Sequence, residues 1–394
     1  MGKLPDYFGV SAFGIKMGVI VPGSDVVNMA YESLLKCNED GFLDHGDTIC
    51  ITESVVARAQ NNYVTVNDIA SQVREKLKLK ADSKIGVLFP ILSRNRFSMI
   101  MKGLAAAVPE GQVVVQLSHP ADEVGNQILP YDFAEKLGKS NGEVISLDDI
   151  GTERFRHPIT GVDYIELYQK VIREQARGSI IFLSNDPLKI LEYKLDGIIV
   201  ANIHKREETR QKLAAQGQNC ITLQDLCNEG ISWSEWGLLG SNISSGDKLK
   251  LAPREADLIA ERIQAKVREG MGKNVEVIVY GDGAYCDPST GIYELADPQP
   301  AFGMTAGLRG KYREGLKYKY LVDKMLDEGV GLEAIEGKLE EKKKESFGRN
   351  AYETEGTTPR KAEDLIASLA DLVSGSADAG TPLILVKGFL GKQS

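Results

Sequence analysis

The residues of this chain best suited to chemistry lie in the stretch "VIVYGDGAYCDPSTGIYELADPQPAFG", residues 277 to 303. A β-branched run, Val275 to Tyr280, ends in three glycines (Gly281, Gly283, Gly291) and four acids (Asp282, Asp287, Glu294, Asp297). Hard cations such as Mg²⁺ and Mn²⁺ take carboxylate oxygens, usually one or two from the protein with the rest from substrate phosphates and water. Glycine allows the backbone to approach a ligand closely. An acidic loop at a strand end therefore suits a metal-phosphate site. The same composition also suits a solvated surface turn, and it lacks the spacing of a calcium-binding EF-hand.

Three further stretches carry groups of the same kind. In "ITESVVARAQ", Glu53, Ser54 and Arg58 leave a strand for a helix start, where backbone N–H groups favour an anion. In "GLLGSNISSGDKL", Gly237, Gly240, Ser241 and Asn242 could form a backbone nest, although neither GxxxxGK[ST] nor GxGxxG is present. In "TEGTTPRKAED", Thr357, Thr358, Arg360 and Lys361 combine a helix start with basic groups, with Thr358 as N-cap and Pro359 at the first helical position. Ordinary capped helices and turns would account for each of these stretches alone.

The elements that must position these groups read as α+β or mixed α/β. A helix from Asp25 to Cys37 precedes a strand over Thr48 to Thr52 and a helix over Asp68 to Leu79. Residues 84–230 alternate: strands in "KIGVLFPI", "GQVVVQLSH", "GSIIFLSN" and "DGIIVANIH", helices in "RFSMIMKGLAAAV", "YDFAEKLGK" and "REETRQKLAAQ". That pattern predicts a doubly wound parallel sheet. Polar residues just past its strand ends would line a crevice: Ser93-Arg94-Asn95-Arg96, Ser118-His119, Ser184-Asn185-Asp186 and Asn202-His204. A helix over Arg254 to Glu269 and the strand before the acidic loop follow. A charged helical excursion spans 311–350, and a last helix reaches Val373 before the strand in "TPLILVKGF". The expected division is 1–83 and 231–394 as two parts of one core, with 84–230 inserted.

With 394 residues, two to three domains are expected, and 42% hydrophobic with 26% charged residues is ordinary for a soluble globular chain. A net charge of −9 argues against a general binder of nucleic acid or membrane surfaces. The five scattered cysteines form no CxxC pair and, with the four isolated histidines, suggest neither a disulfide framework nor a zinc site. The first residues lack the apolar core of a signal peptide, and no apolar run approaches the length of a membrane span. A cytoplasmic protein without membrane or nucleic-acid partners is the expectation.

In order and content the four stretches resemble the coenzyme F420 gamma-glutamyl ligases (coenzyme F420-0:L-glutamate ligase). "HGDTICITESVVARAQNNYV" is similar to the family's N-terminal signature, with Arg58 at its lysine and Gln60 at its glutamate. "WGLLGSNISSGDKLKLAP" resembles its Gly-Ile-Asp-Ala-Ser-Asn segment through Gly237, Ser241 and Asn242. "VIVYGDGAYC" resembles its strand-Thr-Asp-Thr-Asn-Gly-Arg loop, Asp282 matching after a one-residue shift. "KAEDLIASLADLVSGSADAGTPLILVKGF" resembles its C-terminal segment, with Glu363, Asp364, Gly375, Pro382, Lys387 and Gly388 in register. The resemblance covers roughly 10 to 75 and 235 to 390 and leaves 84–230 as a large insertion. Two departures stand out: Leu239 falls where the family has a metal-ligand aspartate, and Pro288, Ser289 and Thr290 replace basic residues.

The resemblance implies a homodimeric ligase that uses GTP and Mg²⁺ or Mn²⁺ to join a small acidic substrate to an amino acid through an acyl phosphate. It implies metal ligation by Asp282 with Asp287 or Glu294. Arg58, Glu53, Ser54, Gly240, Ser241 and Asn242 would bind phosphates or substrate carboxylates, helped by Arg309 or Lys311. The alternatives are a non-catalytic or repurposed relative that binds a nucleotide or small acidic ligand, and a pure interaction protein.

Overall fold

The computed structural model describes residues 4–5, 7–151, 155–157, 160–282, 296–313, 315–342, 351–354, 360–375 and 380–390. From the N-terminus, β1 (Ser11–Ile15), α1 (Val26–Glu39), β2 (Thr48–Thr52), α2 (Glu53–Ala59), β3 (Tyr63–Thr65) and α3 (Val66–Leu77) come first. An alternating run follows: β4 (Lys84–Leu88), α4 (Phe97–Ala106), β5 (Gln112–Leu117), α5 (Phe133–Lys136), α6 (Leu147–Ile150), α7 (Tyr164–Arg173), β6 (Gly178–Leu183), β7 (Gly197–Val200), α8 (Arg206–Ala214) and β8 (Cys220–Thr222). The remainder holds β9 (Asn242–Ile243), β10 (Lys248–Lys250), α9 (Ala256–Met271), β11 (Glu276–Tyr280), β12 (Ala301–Met304), β13 (Tyr312–Arg313), α10 (Tyr318–Asp327), α11 (Leu332–Lys342), β14 (Arg360–Lys361), α12 (Ala362–Ala370) and β15 (Leu383–Lys387).

Two five-stranded sheets dominate. The first has the order β1-β15-β2-β11-β12 and draws strands from both ends of the chain. Within it β2 and β11 run parallel, while β15 and β12 flank them antiparallel. Its strands alternate between two apolar faces. Ile49, Ile51, Val277, Val279, Leu383 and Leu385 pack with Leu34 of α1 and with Ile263 and Val267 of α9. Cys50, Ile278, Tyr280, Ile384 and Val386 pack with Ile366 and Ala370 of α12. Burying each such aliphatic chain contributes about 1.5–3 kcal/mol, so both faces strongly constrain the register.

The second sheet, β6-β5-β4-β7-β8, is parallel throughout and takes every strand from between Lys84 and Thr222. One face, including Ile85, Val87, Val113 and Val115, packs under α3, α4 and α7. The other, including Leu88, Val114, Ile198 and Val200, packs with Leu213 of α8. The expected doubly wound sheet is therefore present. Its core also takes Ile69 and Val73 from α3, and Leu238, Leu239, Leu249 and Leu251.

Several local expectations are corrected. "YDFAEKLGK" yields only the single turn α5, because Gly138 at φ +67° reverses the chain directly after it. The last helix starts at Ala362 rather than at Pro359. Arg360 and Lys361 are spent on antiparallel pairing with Arg313 and Tyr312, and Lys361 is the cap. Beyond α12, a π-helical turn over Asp371–Gly375 carries the chain on. Thr357, Thr358 and Pro359 lie outside the described residues.

Lys387, at the end of β15, is 7% exposed. Its Nζ donates to Asp47 Oδ2 at 2.6 Å and to the Phe42 carbonyl at 2.8 Å, and lies 3.0 Å from Asp44 Oδ2. Asp47 is itself buried, and burial pushes its carboxyl pKa up against the opposing pull of Lys387. Removing one partner of a buried pair strands the other charge. Lys387→Met is expected to cost about 3–5 kcal/mol of unfolding free energy in urea, and adding Asp47→Asn should recover part of it.

Candidate active site

Because β2 and β11 are parallel neighbours, with Thr52 opposite Tyr280, the chain leaves both strands at the same edge of the sheet. Glu53 follows one strand and Gly281-Asp282 the other. Gly281 makes room for what comes next. A Cβ there would lie 2.4 Å from Asp297 Oδ2 and 2.5 Å from the Phe302 ring. With only hydrogen in that place, Asp297 Oδ2 accepts the Asp282 backbone N–H at 2.9 Å. Asp297 is 2% exposed, so its charge needs a partner.

That partner is Arg96, 186 residues before Asp282. Its Nη1 donates to Asp297 Oδ1 at 2.7 Å and its Nη2 to Asp282 Oδ2 at 2.5 Å. One planar guanidinium thus bridges two carboxylates, a geometry that lysine cannot supply. The connection from β4 to α4 delivers it. Ser93 Oγ accepts the Arg96 N–H at 3.1 Å, and the Ser93 carbonyl accepts those of Phe97 and Ser98. Tyr168 Oη, buried on α7, donates to the Ile91 carbonyl and accepts the Ser93 N–H.

A second ion pair stands beside the first. Lys250, the last residue of β10, reaches Glu53 Oε1 and Oε2 at 2.8 and 2.6 Å, and both side chains are nearly buried. Burial raises the Glu53 pKa, Lys250 opposes it, and Asp297 pushes the same way as burial. Asp282 is held well above its ordinary value by burial, then by the charge of Asp297, with Asp371 adding to the effect. Burial works against the Arg96 cation, yet Asp297 and Asp282 outweigh it, and its pKa is raised. Asp371 opens the π-helical turn, and a Cβ at Gly375 would strike its Oδ1.

Among the described residues, the group sets three carboxylates (Glu53, Asp282, Asp297) against two cations (Arg96, Lys250), with Asp371 within electrostatic reach of Asp282. Among the described residues no three His, Cys, Asp or Glu side chains converge on one point as a metal cage. The donor set still fits Mg²⁺ or Mn²⁺ bound by one or two carboxylates, with water and phosphate oxygens completing the shell.

The structure distributes the residues named from sequence unevenly. Asp282 and Glu53 belong to the cluster. Ser54 is exposed at the start of α2, while Arg58 is exposed in its last turn, too late in the helix to serve its N-terminus. Gly240 turns at φ +69°, and Ser241 Oγ is spent on the Leu238 carbonyl. Asn242 sits opposite Lys250, and the next residue, Ile243, donates its N–H to the Asn95 carbonyl. Residues 240–242 thus border the Arg96 loop. Leu239 lines a small apolar cavity with Ile91, Phe97 and Leu238, which excludes it from metal ligation. Arg309 pairs with Asp257 on the surface instead of entering the cluster. Asp287 and Glu294 lie outside the described residues. Sequence reasoning left Arg96 as one of several crevice residues and overlooked Lys250 and Asp371. The signal for Lys250 was a lysine leading directly into the apolar "LAP".

Arg96→Ala would leave Asp297 buried without a cation and should cost about 3–5 kcal/mol in chemical unfolding; Arg96→Lys should restore only part. The raised pKa of Asp282 also has a sign. The folded state keeps a proton that the unfolded chain loses near 3.8, so stability falls as pH rises through the interval above that value. Unfolding free energies at about pH 5 and about pH 7 should converge in Asp282→Asn relative to the parent chain. Glu53, shifted the same way, keeps some slope in the variant.

A search of curated proteins returns no match. The model of the F420-0:Gamma-glutamyl ligase family matches residues 14–388, bounds that enclose the stretch 84–230 as well as Glu53, Arg96, Asp282 and Asp297. The match supports a gamma-glutamyl ligase activity in general terms. With its acid-rich strand edge and nearly its full length accounted for, the chain belongs to the F420-0:gamma-glutamyl ligase family.

Proposed function

We propose that this chain is a GTP- and divalent-metal-dependent ligase that forms a gamma-glutamyl or related amide bond through an acyl phosphate. The observation that carries the reading is the Arg96–Asp282–Asp297 bridge beside the Glu53–Lys250 pair, where β2 and β11 end together. A carboxylate oxygen of the acidic substrate attacks the γ-phosphorus, and the bond from that phosphorus to the β-bridging oxygen breaks, releasing GDP. The amine of the incoming amino acid, glutamate in the family, attacks the acyl carbon. Inorganic phosphate leaves, and the nitrogen gives up a proton. Such chemistry rests mainly on positioning and charge neutralisation.

Asp282 and Asp297 would hold Mg²⁺ or Mn²⁺, which supplies neutralisation of the phosphate oxygens. Arg96, released from Asp282, would turn its fork to the γ-phosphate or the substrate carboxylate, while Asp297 keeps it oriented. Lys250, fixed by Glu53, adds a second cation. Ser54 and the turn over Gly240–Asn242 border this space. In this reading residues 1–83 and 231–394 form the ligase core and 84–230 an inserted module that lends Arg96 to it. Support for the division is that β4 to β8 all fall inside the insertion, while the first sheet takes strands from both flanks. A homodimer belongs to the reading. Exposed Tyr7, Phe8, Val10 and Val19 around the edge strand β1 offer it an apolar surface. A cytoplasmic setting does too, with Cys37, Cys50, Cys220 and Cys227 unpaired. Among the described residues no helix is long and apolar enough to cross a membrane.

One observation favours a second reading, a relative that binds GTP without turning it over. Leu239 is apolar and buried where the family carries an acid, and Arg96 occupies both remaining carboxylates. Nucleotide hydrolysis and amide formation with Mg²⁺ or Mn²⁺, measured in the parent chain and in Asp282→Ala, separate the two. The ligase reading expects turnover in the parent and a fall on the order of 10²-fold or more in kcat in the variant. Equal turnover in both would remove Asp282 from the mechanism. GTP-induced thermal stabilisation without turnover would favour the binding protein, and no stabilisation by any nucleotide would overturn both.

A further inference from the structure

The connection from β4 to α4, residues 89–96, begins at one cleft and ends at another. Phe89 lines a cleft of about 430 Å³ on the carboxyl edge of the parallel sheet, with Asn202 also in its wall. Arg96 ends in the acidic cluster. Between the two, the backbone has left β4 and has not yet entered α4, so neither ladder fixes it. Yet the Arg96 fork meets two carboxylates at once, at 2.5 and 2.7 Å. A two-armed contact of this kind tolerates little displacement.

Side chains supply what the ladders do not. Tyr168 is fully buried on α7. Its Oη donates to the Ile91 carbonyl at 2.5 Å and accepts the Ser93 N–H at 3.2 Å. The same N–H reaches the Ile91 carbonyl at 3.0 Å, so one hydroxyl closes the turn over Ile91–Ser93. Ser93 passes the restraint on. Its Oγ accepts the Arg96 N–H at 3.1 Å, and its carbonyl accepts the N–H groups of Phe97 and Ser98. Leu92, inside the turn, donates to Asp122 Oδ2 at 2.6 Å. Packing alone does not call for the hydroxyl. The Tyr168 ring lies against Phe97, with centroids 5.9 Å apart, and against Tyr164 at 6.3 Å, and a phenylalanine would keep both contacts. What the oxygen adds is direction, because both of its bonds go to the backbone just before Arg96. Burial raises its pKa well above the ordinary tyrosine value, so it stays a neutral donor near pH 7.

We propose that Tyr168 is a positioning residue: through Ser93, its hydroxyl fixes the angle at which Arg96 enters the acidic cluster, and turnover depends on that angle. The stretch 84–230 would then govern the chemistry through α7 as well as through Arg96 itself. The effect of Tyr168 on turnover rests on the ligase reading. Its hold on the Arg96–Asp282–Asp297 bridge does not.

The parent, Tyr168→Phe, Arg96→Lys and the double variant, each taken through urea unfolding and the GTP-dependent amide-forming assay, test it. Arg96→Lys should lower the urea midpoint less in the Tyr168→Phe background than in the parent, because the bridge is already loosened there. At saturating substrates, kcat should fall about tenfold or more in Tyr168→Phe, with the KM for the amino acid changed by less than about twofold. The double variant should be slower than Arg96→Lys by no more than about twofold, since both changes act on one guanidinium. Ser93→Ala breaks the next link at a partly exposed position and should repeat the Tyr168→Phe pattern. Tyr164→Phe, one turn earlier on α7, controls for damage to the helix and should keep the parent kcat. Midpoint losses that simply add would overturn the idea. So would a Tyr168→Phe kcat equal to that of the parent, or an equal fall in Tyr164→Phe. Coupled midpoints in a parent without turnover would sink the ligase reading and leave the anchoring of Arg96 by Tyr168 in place.

Discussion

The buried carboxylate of Asp297 sets the terms for the candidate site. It cannot remain ionised beneath the sheet edge without a cation, and Arg96 is the residue that meets it. Because the guanidinium is a planar fork, the same residue also takes hold of Asp282. The bridge joins the connection after β4 to the edge of a sheet whose strands come from both ends of the chain. Gly281 is part of the same constraint, since any side chain there would occupy the space through which Asp297 reaches the backbone of Asp282.

Charge explains the rest of the arrangement. Glu53 and Lys250 neutralise one another almost out of contact with water, while Asp282 and Asp297 share the one cation of Arg96 and Asp371 raises the Asp282 pKa further. Protons held above the ordinary carboxylate range meet part of this excess. The contrast with the Lys387–Asp47 pair is instructive: there, one lysine meets two acids and a backbone carbonyl, and the group anchors β15 against the segment before β2.

The connection over Phe89 to Arg96 touches both clefts. Phe89, at φ +55°, forms part of the wall near Asn202, and the N–H of Leu92 is held by Asp122 on the same side. Seven residues after Phe89 the same segment ends in the guanidinium. Tyr168 ties this segment down by donating to the Ile91 carbonyl and accepting the Ser93 N–H.

By itself the sequence determined β2, β4 to β7, β11 and β15, which make up most of the two large sheets, and most of the helices. Runs such as "KIGVLFPI" and "GQVVVQLSH" are apolar on both faces because both faces are covered, and Thr48–Thr52 and Val275–Tyr280 read as strands for the same reason. It also marked Glu53 and Asp282, whose position just past a strand is a local property. Tertiary structure alone decided which distant residues meet them. Arg96 joins Asp282 across 186 residues and Lys250 joins Glu53 across 197. No spacing rule links such pairs, because they depend on how two sheets stand against each other. The same limit placed Arg58 and Arg309 by residue type near phosphates. One lies exposed in the last turn of a short helix and the other pairs with Asp257, since the side of the fold a side chain faces is settled by packing.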